Sequence, residues 1–170
     1  TPYILEGWHA SLQHIMFVPI ICVFLFFSVL SEKRMQPDAV RLVSPGMIAK
    51  FFRSGIAGRM KMADRQGKLR KESQFILGIP AREMKAADSN ELVLIQGIID
   101  AWFEEKDGLV IVDYKTDRVK EGEEQTLLDH YQVQLQYYAR ALSQITGKRV
   151  KEAVIYSLTI QKEINVPIGQ

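Results

Sequence analysis

The chain has 170 residues, 47% of them hydrophobic and 25% charged, the balance of one globular unit with a real core rather than of a disordered or fibrous segment. Its 22 Lys and Arg against 20 Asp and Glu leave a net charge of +2, too mild to argue for a nucleic-acid partner by itself. The single Cys22 excludes an internal disulfide and a cysteine-ligated iron–sulfur or zinc centre, and makes a reducing, cytoplasmic setting the expectation.

In chain order, "EGWHASLQHIMF" reads as a short helix with Trp8, Leu12, Ile15 and Met16 at helical spacing. The uncharged run Val18–Leu30 has 13 residues with Pro19 and Ser28 inside it. A spanning helix needs about 20, so the run is expected to be buried or covered by another part of a longer protein rather than to anchor in a membrane. A start at Thr1 without a cleavable leader pattern fits such a piece. "SPGMIAKFFRSGIAGRM" predicts one helix, with Ser44 as cap, Pro45 in the first turn and Ile48, Phe51 and Phe52 on the apolar side. The next stretch, "RMKMADRQGKLRK", carries Arg59, Lys61, Arg65, Lys68, Arg70 and Lys71 against Asp64 alone. It is either a solvated loop or a surface for phosphates, with Arg65, Lys68 and Arg70 as the candidate DNA contacts.

The period then changes. "ESQFILGI", "ELVLIQGIIDAWFEE" and "LVIVDYKT" predict a meander of three strands. A long helix follows from Glu124 to Ile145, with Leu128, Tyr131, Leu135, Tyr138, Leu142 and Ile145 on one stripe and Gly147 as a left-handed cap. "EAVIYSLT" is a further strand, which a helical crossover can add to the sheet in parallel. The expectation is an α/β (α+β) fold with a central mixed sheet of about four strands flanked by helices. Residues 1–41 form an N-terminal helical segment and 42–170 the core.

Asp107-Gly108 between two alternating runs is a hairpin signal. With these two as the turn, Asp100 faces Lys115 and Asp113 faces Trp102, and the period of two puts all four on one side of the sheet. Two readings of the charged trio stay open. Lys115 neutralises Asp100 in a structural ion pair, or the two carboxylates, in excess of one ammonium, hold a hard divalent cation, for which magnesium is the best fit.

These residues resemble a known family. An Asp followed by Asp-x-Lys on consecutive strands looks like the PD-(D/E)XK nuclease core. "QGIIDAWF", "VDYKTD" and "QLQYYARAL" are similar to the RecB-type nuclease motifs, and "IAKFFRSGIAGRM", "KESQFILGIP" and "GKRVKEAVIYS" are similar to the AddA-type nuclease domains of bacterial helicase-nucleases. The resemblance runs from about Leu42 to Ser157. It implies a restriction-endonuclease-like fold and a DNA exonuclease that uses magnesium, with manganese as its substitute. Asp100, Asp113 and the carbonyl of Tyr114 are then metal ligands. His9, in "GWHASLQHIMF", matches a metal-binding His on an N-terminal helix better than His14 does, although Gly7 precedes it by two residues where the pattern has four. Lys115 then orients or activates the attacking water, Gln134 and Tyr138 form the Gln-x-x-x-Tyr motif beside the site, and Glu72 matches a further acid of the family.

The AddB type of this nuclease holds an iron–sulfur cluster through four cysteines, which one cysteine cannot supply. No "GxxxxGK" followed by Ser or Thr occurs, so ATP hydrolysis belongs to an upstream helicase region. The implied partners are single strands of unwound DNA, those helicase domains and an AddB-type subunit, in the bacterial cytoplasm and with no membrane. Two alternatives share the fold: a non-catalytic DNA-binding scaffold, and a stand-alone nuclease of the restriction-like or CRISPR-associated kind.

Overall fold

The computed structural model describes residues 44–83 and 89–169. His9, His14, Cys22, the N-terminal helix and the Val18–Leu30 run lie outside the described residues. The chain divides into two compact units, Thr1–Ser44 and Pro45–Gln170, and the elements that follow belong to the second.

They are α1 (Pro45–Phe51), α2 (Gly55–Arg65), β1 (Leu69–Pro80), β2 (Leu92–Glu105), β3 (Gly108–Lys115), α3 (Glu124–Thr146), β4 (Val150–Ser157) and β5 (Lys162–Val166). The strands form one sheet in the order β1-β2-β3-β4-β5. Neighbours are antiparallel except β3 and β4, which run parallel and are joined by α3 as the crossover. The sheet therefore has five strands where four were expected: "KEINV" adds an edge strand after β4.

The helix expected over residues 44–60 is two. Ser54 takes an extended conformation between them and its Oγ accepts from the Ala57 amide at 3.2 Å, capping α2. α2 then continues to Arg65, so the basic segment is the second half of a helix, a three-residue turn over 66–68 and the start of a strand, rather than one loop. Among the described residues no helix is long and apolar enough to cross a membrane.

Two apolar layers sandwich the sheet. Leu127, Leu135, Tyr138, Ala139 and Leu142 of α3 pack on Phe75, Leu77 and Ile79 of β1, Ile99 of β2, Leu109 and Ile111 of β3 and Ile155 of β4. On the opposite side, Phe51 of α1 meets Tyr114 and Tyr156 edge-on, with ring centroids 5.3 and 4.8 Å apart. Alternation along β3 thus sends Ile111, Asp113 and Lys115 toward α3, and Tyr114 toward α1. Ile145, placed on the buried stripe by its spacing, is 63% exposed in the last turn of α3, and Leu127 is buried instead. Gly147 is left-handed, with φ 68°, and its amide reaches Ser143 O, as a C-cap requires.

At Gly97 the packing leaves no room for a side chain: a Cβ there would lie 2.9 Å from the Phe75 ring and 3.4 Å from that of Tyr138. Gly97→Ala is therefore expected to lower the unfolding free energy by about 1–3 kcal/mol, since a close-packed core must shift to admit it. Denaturant unfolding checks this.

Charge also ties the layers. Arg59 of α2 bridges Glu105 at 2.9 Å and Glu152 at 2.6 Å, and Lys151 adds a second cation to Glu105 at 2.6 Å. The Arg59 hydrogen bond, with help from Lys151, holds the Glu105 carboxyl down at about 2. A folded-state pKa below the unfolded one contributes stability above the unfolded value that is lost as pH falls through the folded one. Glu105→Gln should cost about 1 kcal/mol near pH 7, a figure set by the solvent screening of a half-exposed network. The gap to the unaltered protein should close as pH drops from about 5 to about 2, as measured by thermal unfolding across that range.

Candidate active site

The β2–β3 hairpin turns at Lys106-Asp107, one residue earlier than the Asp-Gly signal suggests, and Glu105 pairs with Gly108. The expected register is thereby corrected by two residues: Trp102 faces Ile111, and Asp100 is not opposite Lys115. The turn still has an even length, so the charged groups keep a common side. Gly108 answers a tertiary need. The Leu109 amide donates to Arg149 O at 2.9 Å, and a Cβ on Gly108 would come within 2.9 Å of that same oxygen.

The last rung of the hairpin ladder is Ala101–Val112. One step beyond it, Asp100 and Asp113 stand level on neighbouring strands. There the Asp100 carboxylate takes over the ladder's role, its Oδ2 accepting from the Tyr114 amide at 2.9 Å. The β1–β2 ladder is interrupted at the same level, between the Lys71–Ala101 and Ser73–Ile99 rungs. Glu72, opposite Asp100, has a φ of 45°, a conformation that a non-glycine residue adopts only where its surroundings enforce it. Glu72 is exposed.

Asp113 is 2% exposed, and its Oδ2 lies 2.7 Å from Lys115 Nζ. The ion pair expected between Lys115 and Asp100 is thus between Lys115 and Asp113. The lysine has further neighbours on α3. Gln134 Oε1 accepts from it weakly at 3.4 Å, and Gln134 Nε2 donates to the Tyr138 hydroxyl at 2.6 Å. The i,i+4 pair read from the sequence is therefore a physical contact, and it continues into the core through the edge-on packing of Tyr138 and Phe75 at 5.4 Å. The local potential is negative enough to register on a neighbour. Burial pushes the Tyr114 phenol well above its ordinary range, and the charges of Asp100 and Asp113 add to the effect. That phenol is desolvated against Met60, with its oxygen 3.6 Å from the sulfur.

Two residues that the sequence did not assign to the site complete the surroundings of Lys115. The ring of Tyr131 lies under its ammonium, 4.0 Å from Nζ to centroid. The Tyr131 hydroxyl donates to Asp117 Oδ1 at 2.8 Å. Their signal was present: Tyr131 precedes Gln134 by three on the same helix, and Asp117 follows Lys115 by two.

Asp100, Asp113, Lys115, Gln134 and Tyr138 are thus brought together. The candidate DNA contacts run from the end of α2 into the start of β1. Arg65 ends α2, Lys68 lies in the turn after it, and all three are exposed. Arg70, paired with Trp102 across the β1–β2 ladder, directs its guanidinium to the carbonyls of Gly67 and Leu69 at 2.7 and 3.0 Å.

The donor set suits a hard divalent cation. Two carboxylates on neighbouring strands offer oxygen and no sulfur. Among the described residues no cluster of three His, Cys, Asp or Glu that could hold a metal ion occurs.

Known proteins match this chain along most of its length. The model of the PD-(D/E)XK nuclease superfamily matches residues 30–167. A protein of Lachnoclostridium phytofermentans, named as a component of an ATP-dependent helicase/nuclease, is 36% identical over 165 residues, covering 77% of this chain and 12% of that protein. Proteins of the same name from Clostridium novyi and Clostridium perfringens are 41% and 42% identical, over 70% and 74% of this chain. The chain spans about a tenth of the length of these relatives.

Proposed function

This chain belongs to the PD-(D/E)XK nuclease superfamily, and on that premise we propose that Asp100, Asp113 and Lys115 form the centre of a magnesium-dependent DNA exonuclease, manganese serving in its place. The observation that carries the reading is the buried Asp113 in contact with Lys115, on the strand next to Asp100. Asp100 brings a second carboxylate to the same level of the sheet, its Oδ2 accepting from the Tyr114 amide.

Asp100, Asp113 and the Tyr114 carbonyl would hold the cation, with His9, outside the described residues, proposed as a further ligand. A hard divalent cation held there would supply activation of the attacking water and would offset charge developing at phosphorus. Lys115 would present its ammonium to the attacking water and to the phosphoryl oxygens, where charge accumulates in the transition state. Gln134 makes a weak contact with the lysine from α3, and Tyr138 holds Gln134. Arg65, Lys68 and Arg70 would hold the DNA backbone, their exposure leaving them accessible to phosphates.

The names of the relatives support a wider setting in which the chain is the nuclease part of an ATP-driven helicase-nuclease. It would degrade strands unwound during double-strand break processing in the bacterial cytoplasm, with ATP used by upstream helicase domains and with an AddB-type protein as the partner. The test is degradation of linear single-stranded DNA by the purified protein in magnesium, stopped by a chelator. DNA binding without cleavage in both magnesium and manganese would overturn the catalytic reading and favour a scaffold.

A further inference from the structure

We infer that Tyr131 and Asp117 form a positioning brace for the Lys115 ammonium, an inference that rests on the nuclease reading of the site for its functional part. A lysine head on four single bonds samples many positions, and an ammonium aimed at a reacting water must be confined to one. Asp113 attracts Lys115 from 2.7 Å but fixes only a distance, and Gln134 at 3.4 Å adds little restraint. The Tyr131 ring closes the remaining side. With the ammonium 4.0 Å from its centroid, the ring is within range for a cation–π contact, and Lys115 is only 14% exposed.

The ring needs its own anchor, and the hydroxyl bond to Asp117 at 2.8 Å provides it. Asp117 is in turn held by a fixed backbone. The Leu158 amide donates to Lys115 O at 2.9 Å and Thr159 Oγ1 donates to Thr116 O at 3.2 Å. The brace therefore ties the crossover helix to the segment leaving β3, with the lysine between them.

The test has two independent readouts in Tyr131→Leu, Tyr131→Phe and Asp117→Asn. The first is the NMR position of the Lys115 ε-methylene, which a ring beneath the ammonium shifts upfield. Tyr131→Leu should return it to its ordinary position and Tyr131→Phe should largely retain it, whether or not the protein cleaves DNA. The second is single-strand degradation in magnesium. Tyr131→Leu should lower kcat by about 10- to 100-fold, the usual range for partners that orient a site group, with KM for DNA little changed. Tyr131→Phe, which keeps the ring, should recover most of that loss, and Asp117→Asn should fall between. An unshifted Lys115 methylene in the unaltered protein, or a Tyr131→Leu variant with undiminished kcat, would overturn the brace. A shifted methylene in a protein that cleaves no DNA would leave the brace standing as structure and fail the nuclease reading instead.

Discussion

Asp113→Asn should reduce magnesium-dependent degradation of single-stranded DNA by about 10³-fold, the scale of losing one group that stabilises transition-state charge. The amide keeps the shape of the carboxylate but not its charge, in a position 2% exposed to solvent. On the proposed reading it would weaken cation binding, and it also removes the charged partner of the Lys115 ammonium. Thermal unfolding separates the two effects. A folded variant with full activity would show that Asp113 takes no part in chemistry.

Lys115→Met should be the most destabilising substitution at the site. It leaves the nearly buried Asp113 carboxylate without the ammonium 2.7 Å away. Removing one member of a buried ion pair typically costs about 3 kcal/mol or more, here a fall in melting temperature on the order of 10 °C. Adding Asp113→Asn to it should recover much of the loss, because the remaining partner is then neutral. Magnesium should raise the melting temperature of the single variant by mass action on the folded state. A variant as stable as the parent, and indifferent to magnesium, would remove the electrostatic account of the site.

Much of this site could be read before any coordinates. The alternation of "GIIDAWFEE" and "LVIVDYKT" places the charged residues on strands, and helical spacing pairs Gln134 with Tyr138, both as found. The register could not be read. Gly108 looked like half of a turn, whereas it is small because the lead-in to β4 passes over it, a long-range contact that leaves no local mark. The error was even, so the common side survived, but the partner of Lys115 changed from Asp100 to Asp113. The division of α1 from α2 was hidden because apolar spacing continues across Ser54, whose capping role depends on its conformation. β5 has only five residues at a sheet edge, too few for a clear period. The family membership expected from the Asp and Asp-x-Lys motifs stands, and the superfamily model covers them both.

The crossover has a kinetic corollary. Both acids and the lysine lie on one hairpin, whose two-residue turn lets it close within microseconds. Tyr131 and Gln134 arrive on a helix that must first carry the chain across to β4, a slower, long-separation event. A chain emerging from the ribosome would thus gather its charges early and acquire the restraint on its ammonium late, so hydrolytic competence should lag behind the first appearance of sheet structure during refolding.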